Sequence, residues 1–162
     1  MEPMTKQRLS MYALIRTEID NQLEWLARMK NNELLPAPAT GTGGGRSGVS
    51  DRMANAINRR LDLEARVLPQ IEAGLAELEA IEAAIDALDN PLEREVLRLR
   101  YIHTTTCASL PWEKIALKIY GDDTSANVKA ALRLHGAALA NIRRTSEQNP
   151  EYCEGGPCGE FG

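Results

Sequence analysis

The side chains of this chain best suited to chemistry are cations, and they are gathered. Lys114, Lys118, Lys129, Arg133, Arg143 and Arg144 fall within two short amphipathic stretches, WEKIALKIY and SANVKAALRLHGAALANIRR, which flank Gly121, Asp122 and Asp123. Ammonium and guanidinium groups set along a helix neutralise phosphates, and Arg or Lys can also bond the major-groove edge of guanine as Asn bonds adenine. The formal charge of the whole chain is −4, which at first argues against a polyanionic partner. Divided along the sequence, the objection disappears. Residues 1–89 carry ten basic and fourteen acidic groups, residues 90–146 nine against five, and residues 147–162 four acids alone. The surplus of positive charge sits on the segment that holds the two stretches, and local charge decides whether a surface attracts phosphate.

Other chemistry finds little support. Cys107, Cys153 and Cys158 are too few and too dispersed for a four-ligand zinc site or a disulfide framework. The run GTGGGRSG is followed by no Lys-Ser/Thr and preceded by no strand, so it is not a phosphate loop. No nucleophile stands near a base, and the two histidines are isolated. The chain is expected to be neither an enzyme nor a metal or cofactor carrier. The N-terminus lacks a signal-peptide core and no apolar run approaches the ~20 residues of a membrane helix, so a cytoplasmic protein with no membrane partner is expected.

The elements that must position the cations are helices. Leu, Ile and Ala supply most of the apolar content and aromatics are 4% of residues, a mixture suited to an all-α fold. A first helix is expected over residues 5–32, capped by Thr5, with residues 1–32 as one segment and a flexible Gly/Pro loop over 33–49. A long helix follows over 50–89. Ile57, Leu61, Leu68, Ile71, Leu75, Leu78 and Ile85 recur along it as a coiled-coil-like seam, widened by Ile81 and Leu88, which predicts a homodimer or higher oligomer. Pro69 predicts a kink or a division into two helices. Asn90 and Pro91 open a helix of about three turns, Pro111 the next, and Thr124 is placed to cap the last, over 125–144. Residues 147–162, rich in Gly, Pro and Glu, are expected to be disordered.

Two short helices across a Gly-containing turn make a helix-turn-helix, with the helix over 92–101 as its third wall. The row Val128, Leu132, His135, Leu139 and Ile142, with Ala131 and Ala138 beside it, marks the inward face of the second stretch. His135 therefore reads as a packed core residue. Trp112, Ile115, Ala116 and Ile119 face it from the first stretch. With Val128 inward, Arg133 points outward while Asn127 and Lys129 lie on the flanks. Asn127, Lys129 and Arg133 are the base-reading candidates for double-stranded DNA; Lys114, Lys118, Ser125, Arg143 and Arg144 are the phosphate candidates.

The residues Glu93, Leu97, Arg100, Tyr101, Ile102, Trp112, Glu113, Ile115, Ala116, Leu134, His135, Ala138 and Leu139 resemble the pattern of region 4 of bacterial sigma factors. The chain resembles more closely the small phage regulators of the ArpU/RinA type, which join a helix, a Gly-rich loop and a long helix to a sigma-like end. The resemblance spans residues 5–145 and is sharpest over about fifty of them. It implies a sigma region 4-like DNA-binding domain over 90–146, a sequence-specific transcription regulator of phage or prophage late genes in a bacterial host cell, and RNA polymerase as a further partner. The turn after Tyr120 is longer than in standard sigma region 4. The competing expectations are a small terminase subunit, which usually has its DNA-binding domain first, and a helical adaptor that binds no DNA.

Overall fold

The computed structural model describes residues 3–34, 47–104 and 109–148, and every regular element among them is helical. Residues 149–162 of the tail expected to be disordered, most of the Gly/Pro loop and the three cysteines lie outside the described residues; Glu147 and Gln148 instead continue the last helix, and residues 47–49 of the expected loop are already helical. In chain order the elements are α1 (Lys6–Ser10), α2 (Tyr12–Leu34), α3 (Ser47–Asp86), α4 (Pro91–Leu97), α5 (Trp112–Tyr120) and α6 (Ser125–Gln148). The chain is all-α. Helix α4 runs on into one widened turn over Arg98–Ile102, closed by the His103 N–H on the Arg98 carbonyl at 2.8 Å.

Several ends follow from the sequence as read. The Thr5 hydroxyl accepts the Arg8 N–H, and the Asn90 side chain accepts the Leu92 N–H with Pro91 in the first helical position. The N-terminal helix, expected to be continuous, is broken at Met11. There the Ser10 hydroxyl donates to the Lys6 carbonyl at 2.8 Å, in competition with the backbone, and the Met11 N–H turns back to the Arg8 and Leu9 carbonyls.

Of the two outcomes expected at Pro69, a kink or a division, the division does not occur: α3 is one helix of 40 residues with Pro69 inside it, in line with the long helix expected here. Val67 and Ile71, on either side of the proline, are both buried, so packing holds the helix across a position that loses a backbone bond. The correction on α3 is the seam. The buried row is Val67, Ile71, Leu78, Ile81, Ile85 and Leu88, with Leu63 beside it and Gly74 filling one place. Alternating steps of four and three make this the true coiled-coil seam; the expected row used Leu61, Leu68 and Leu75, which lie one step round the helix. Those three are about half exposed, and Ile57 is intermediate. Ile71, Leu78 and Ile85 are committed to the interior of the chain and present no face to a partner.

The chain forms two compact units, Met1–Arg16 with Ala76–Gly162, and Thr17–Leu75. The first unit is thus larger than the expected 90–146 domain. Its core takes Met4, Leu9 and Tyr12 from the N-terminal segment; Leu78, Ile81, Ile85 and Leu88 from the end of α3; and buried residues of α4, α5 and α6. Polar bonds fix the segment there. Arg8 grips the Glu77 carboxylate with two N–H groups, at 2.5 and 2.8 Å, the Tyr12 hydroxyl donates to Glu82, and the Met4 N–H donates to the Ser146 hydroxyl at 3.1 Å. Such a two-pronged pair is stronger than a neutral bond. In the second unit Ile19, Leu63, Val67 and Ile71 are buried, and the Gln22 amide bonds Gln70 at 3.1 Å.

If the N-terminal segment is part of the first unit's core, Leu9→Ala should cost about 2–5 kcal/mol in urea denaturation, as for other buried leucines. Leu23→Ala, at an exposed site on α2, should stay within about 0.5 kcal/mol. Equal, small effects would show the segment to be a detachable arm.

Candidate nucleic-acid interface

The helix-turn-helix is built from α5, a four-residue turn and α6. Pro111 stands at the start of α5, Glu113 in its first turn and Lys118 in its last, an order that complements the helix dipole. Gly121 ends it with φ of 86°, the left-handed conformation costly to any residue with a Cβ, and its N–H caps the Leu117 carbonyl at 3.0 Å.

Asp122 then organises the turn. One carboxylate oxygen accepts the Thr124 N–H at 3.1 Å, the Thr124 hydroxyl at 2.8 Å and the Asn127 amide at 2.6 Å. These bonds, the Thr124 hydroxyl foremost, hold the Asp122 carboxyl below its usual range, so it is ionised ahead of the N-terminus of α6. The expected cap, Thr124, contributes its carbonyl to Val128 at 2.9 Å while its hydroxyl serves Asp122.

The register of α6 differs from the expected one. Ala131, His135, Ala138 and Ile142 are buried, Val128 and Leu139 are intermediate, and Leu132 is 44% exposed. The inward face has turned by about half a residue step at 100° per residue, because two alanines rather than two leucines lie against α4 and α5. Ala116 is fully buried on α5, so small residues line both sides of the contact.

One cluster pins this register. The His135 ring meets Trp112 edge-on at 5.0 Å between centroids, and its Nε2 lies 2.9 Å from the Tyr101 hydroxyl. Arg100 lies 4.5 Å over the Trp112 ring and bonds the Leu110 carbonyl. Burial, then the charges of Lys6 and Arg100, lowers His135 to about 4, so the ring is neutral at pH 7 and shares one hydrogen bond with the Tyr101 hydroxyl through Nε2. Further along, the buried Glu93 carboxylate accepts the Asn141 amide at 3.0 and 2.9 Å, fastening α6 to α4.

The new register sorts the candidate residues. Lys129 and Arg133, one turn apart, are exposed opposite the buried row and have no ion-pair partner among the described residues. Lys114, Lys118 and Ser125 are also exposed, and the two lysines are equally without ion pairs among the described residues. Asn127 is half-buried with its amide held by Asp122, so it builds the turn instead of facing outward. Arg143 pairs with Glu147 at 3.1 Å, and Arg144 donates to Asn141 at 3.2 Å. The sequence reading missed Asp122, Glu93 and Asn141. An Asp two residues before a Thr is a turn signal that was legible; the Glu93 and Asn141 pairing, 48 residues apart, had none.

Among the described residues no group of three or more His, Cys, Asp or Glu could hold a metal ion, and no helix is long and apolar enough to cross a membrane. No protein-family model, no curated protein and no solved structure matches the chain.

The buried histidine makes stability depend on pH. The unfolded chain takes up its proton near 6.5 and the folded one only near 4, so the contribution is complete above about pH 6.5 and is lost as pH falls towards 4. At 1.36 kcal/mol per unit the loss is at most about 3 kcal/mol. His135→Gln keeps an acceptor for Tyr101 and cannot titrate. Denaturation from pH 7 to 4 should show a shallower fall for that variant than for wild type, and parallel curves would refute the assignment.

Proposed function

We propose that the chain is a sequence-specific regulator of transcription that binds double-stranded DNA through α5 and α6, with α6 as the recognition helix. One observation carries the reading. Lys129 and Arg133 stand side by side on the outer face of the first half of α6, exposed and without ion pairs among the described residues, on a helix whose other face is fastened by His135 and Glu93. A recognition helix meets base edges with its N-terminal half, and fixed geometry is what base reading demands. Lys129 and Arg133 read the edges, with guanine their favoured partner. Lys114 and Lys118 take phosphates. Asp122 and Asp123 oppose a phosphate at the N-terminus of α6, which moves the backbone contacts on to α5.

The likeness to phage regulators of the ArpU/RinA type extends the proposal to late genes of a phage or prophage, in the bacterial cytoplasm and in contact with RNA polymerase. A homodimer fits the same picture, since a twofold protein reads two half-sites. Its interface is Leu61, Leu68 and Leu75, an apolar row left about half exposed within a single chain.

Titration against a site selected from random duplex tests the reading. Arg133→Ala should cost about 1–3 kcal/mol and relax preference at one base position. Arg143→Ala and Arg144→Ala, whose partners are Glu147 and Asn141, should have small effects that are equal on all sequences. No loss for Lys129 or Arg133 variants would refute a recognition helix here. In sedimentation the wild type should be a dimer and Leu68→Lys with Leu75→Lys a monomer; a ring of eight or more subunits would favour a DNA-packaging protein instead.

A further inference from the structure

Helix α3 carries a second set of cations outside the helix-turn-helix. Arg52, Arg59 and Arg66 are spaced seven residues apart and all three are exposed. Seven residues are two turns less about 20°, so the three guanidinium groups form one row roughly 21 Å long. None of the three has an ion-pair partner among the described residues, whereas Arg60, on the neighbouring face, bonds Glu64 at 3.2 Å. Asp62, between Arg59 and Arg66 in the sequence, pairs with neither among the described residues. The row is two residues out of step with Leu61, Leu68 and Leu75, which puts it about 160° round the helix from that apolar ridge. The same helix beyond Val67 holds Glu72, Glu77, Glu79, Glu82 and Asp86 and not one cation. The basic charge of α3 is therefore confined to its first half, and the part of it without ion pairs among the described residues to one polar stripe.

We propose that Arg52, Arg59 and Arg66 form a second phosphate-binding face, which holds the backbone of duplex DNA without reading its sequence. This rests on the DNA-binding reading of α6 and adds a different kind of contact. A planar guanidinium matches phosphate with two parallel N–H groups, and a row 21 Å long covers about six base-pair steps of 3.4 Å. No apolar or aromatic side chain stands within the row, and protein interfaces are built round an apolar core, so a phosphate backbone fits this stripe better than a protein surface does. A dimer closed through the leucine ridge leaves the row uncovered, since the two lie on opposite flanks of the helix.

The test uses the full chain. Arg52→Gln, Arg59→Gln and Arg66→Gln together remove three charges at exposed helical sites with little change in helix propensity; the matching Lys triple keeps the charges. Binding to the selected site and to random duplex is titrated from 50 to 300 mM salt, beside wild type and Arg133→Ala. The Gln triple should lower affinity for both duplexes by the same factor, roughly tenfold or more at 50 mM, and reduce the salt slope by about 2.7 units at 0.9 per phosphate. Its preference for the selected site should be unchanged, and the Lys triple should keep the wild-type slope. Circular dichroism should give wild-type helicity for both. An unchanged slope in the Gln triple, with Arg133→Ala still losing specificity, overturns the second face and leaves the recognition helix standing. A changed sedimentation mass with an unchanged slope also overturns it, and assigns the row to contacts between copies. A wild type that binds no duplex overturns both.

Discussion

His135 enters the core as a neutral ring, and the outward face of α6 is the consequence. Its Nε2 is hydrogen-bonded to the Tyr101 hydroxyl while Trp112 meets the ring by its edge, so a side chain of α6 is held at once by the helix before α5 and by the first residue of α5. A helix held at one azimuth has no freedom to roll, and Ala131 and Ala138 on the same row let its backbone approach closely. Glu93 and Asn141 repeat the constraint two turns further on. What is left outside, Lys129 and Arg133, is therefore presented in a fixed direction. An unpaired buried polar group would cost about 1–3 kcal/mol, so each bond of this set protects the others.

Charge in this chain is arranged by surface, against a total that is acidic. Acids on the end of α3 are partly taken up inside the first unit, Glu77 by Arg8, Glu82 by Tyr12 and Asp86 by Arg98. The cations of α5, of the first half of α6 and of the row Arg52, Arg59 and Arg66 on α3 have no such partners among the described residues, whereas Arg60 on α3 and those at the far end of α6 do. Unpaired cations beside neutralised acids produce positive patches on a protein of negative net charge, and the patches are what a polyanion meets.

The helices and their ends were largely legible in the sequence, because caps are local. Thr5, Asn90, Pro91 and Gly121 each announce an end through chemistry that reaches only two or three residues. Azimuth was less legible. On α6 the leucines drew the inward row towards Leu132, although backbone proximity favours the alanines; on α3 an apolar spacing of four and three matches two neighbouring rows, and only the partner surface chooses between them. The role of residues 3–16 in the first unit was not legible at all. Arg8 with Glu77, Tyr12 with Glu82 and Met4 with Ser146 join positions 69 to 142 residues apart, which no local pattern encodes. Among the candidate residues, Arg133 keeps the outward position read from the sequence, Lys129 moves from the flank to the outer face, and Asn127 is drawn into the turn because Asp122 claims its amide.

In the proposed complex the outer face of α6 lies in a major groove with Arg133 against a guanine. Dimethyl sulfate methylates guanine N7, which lies in that groove, so protection of N7 within a selected duplex reports the contact atom by atom. The expected result is N7 protection at the bound site, with reactivity restored at one guanine alone when Arg133→Ala replaces the wild type. Guanines that stay fully reactive throughout a bound site, or a protection pattern that Arg133→Ala leaves intact, would contradict it.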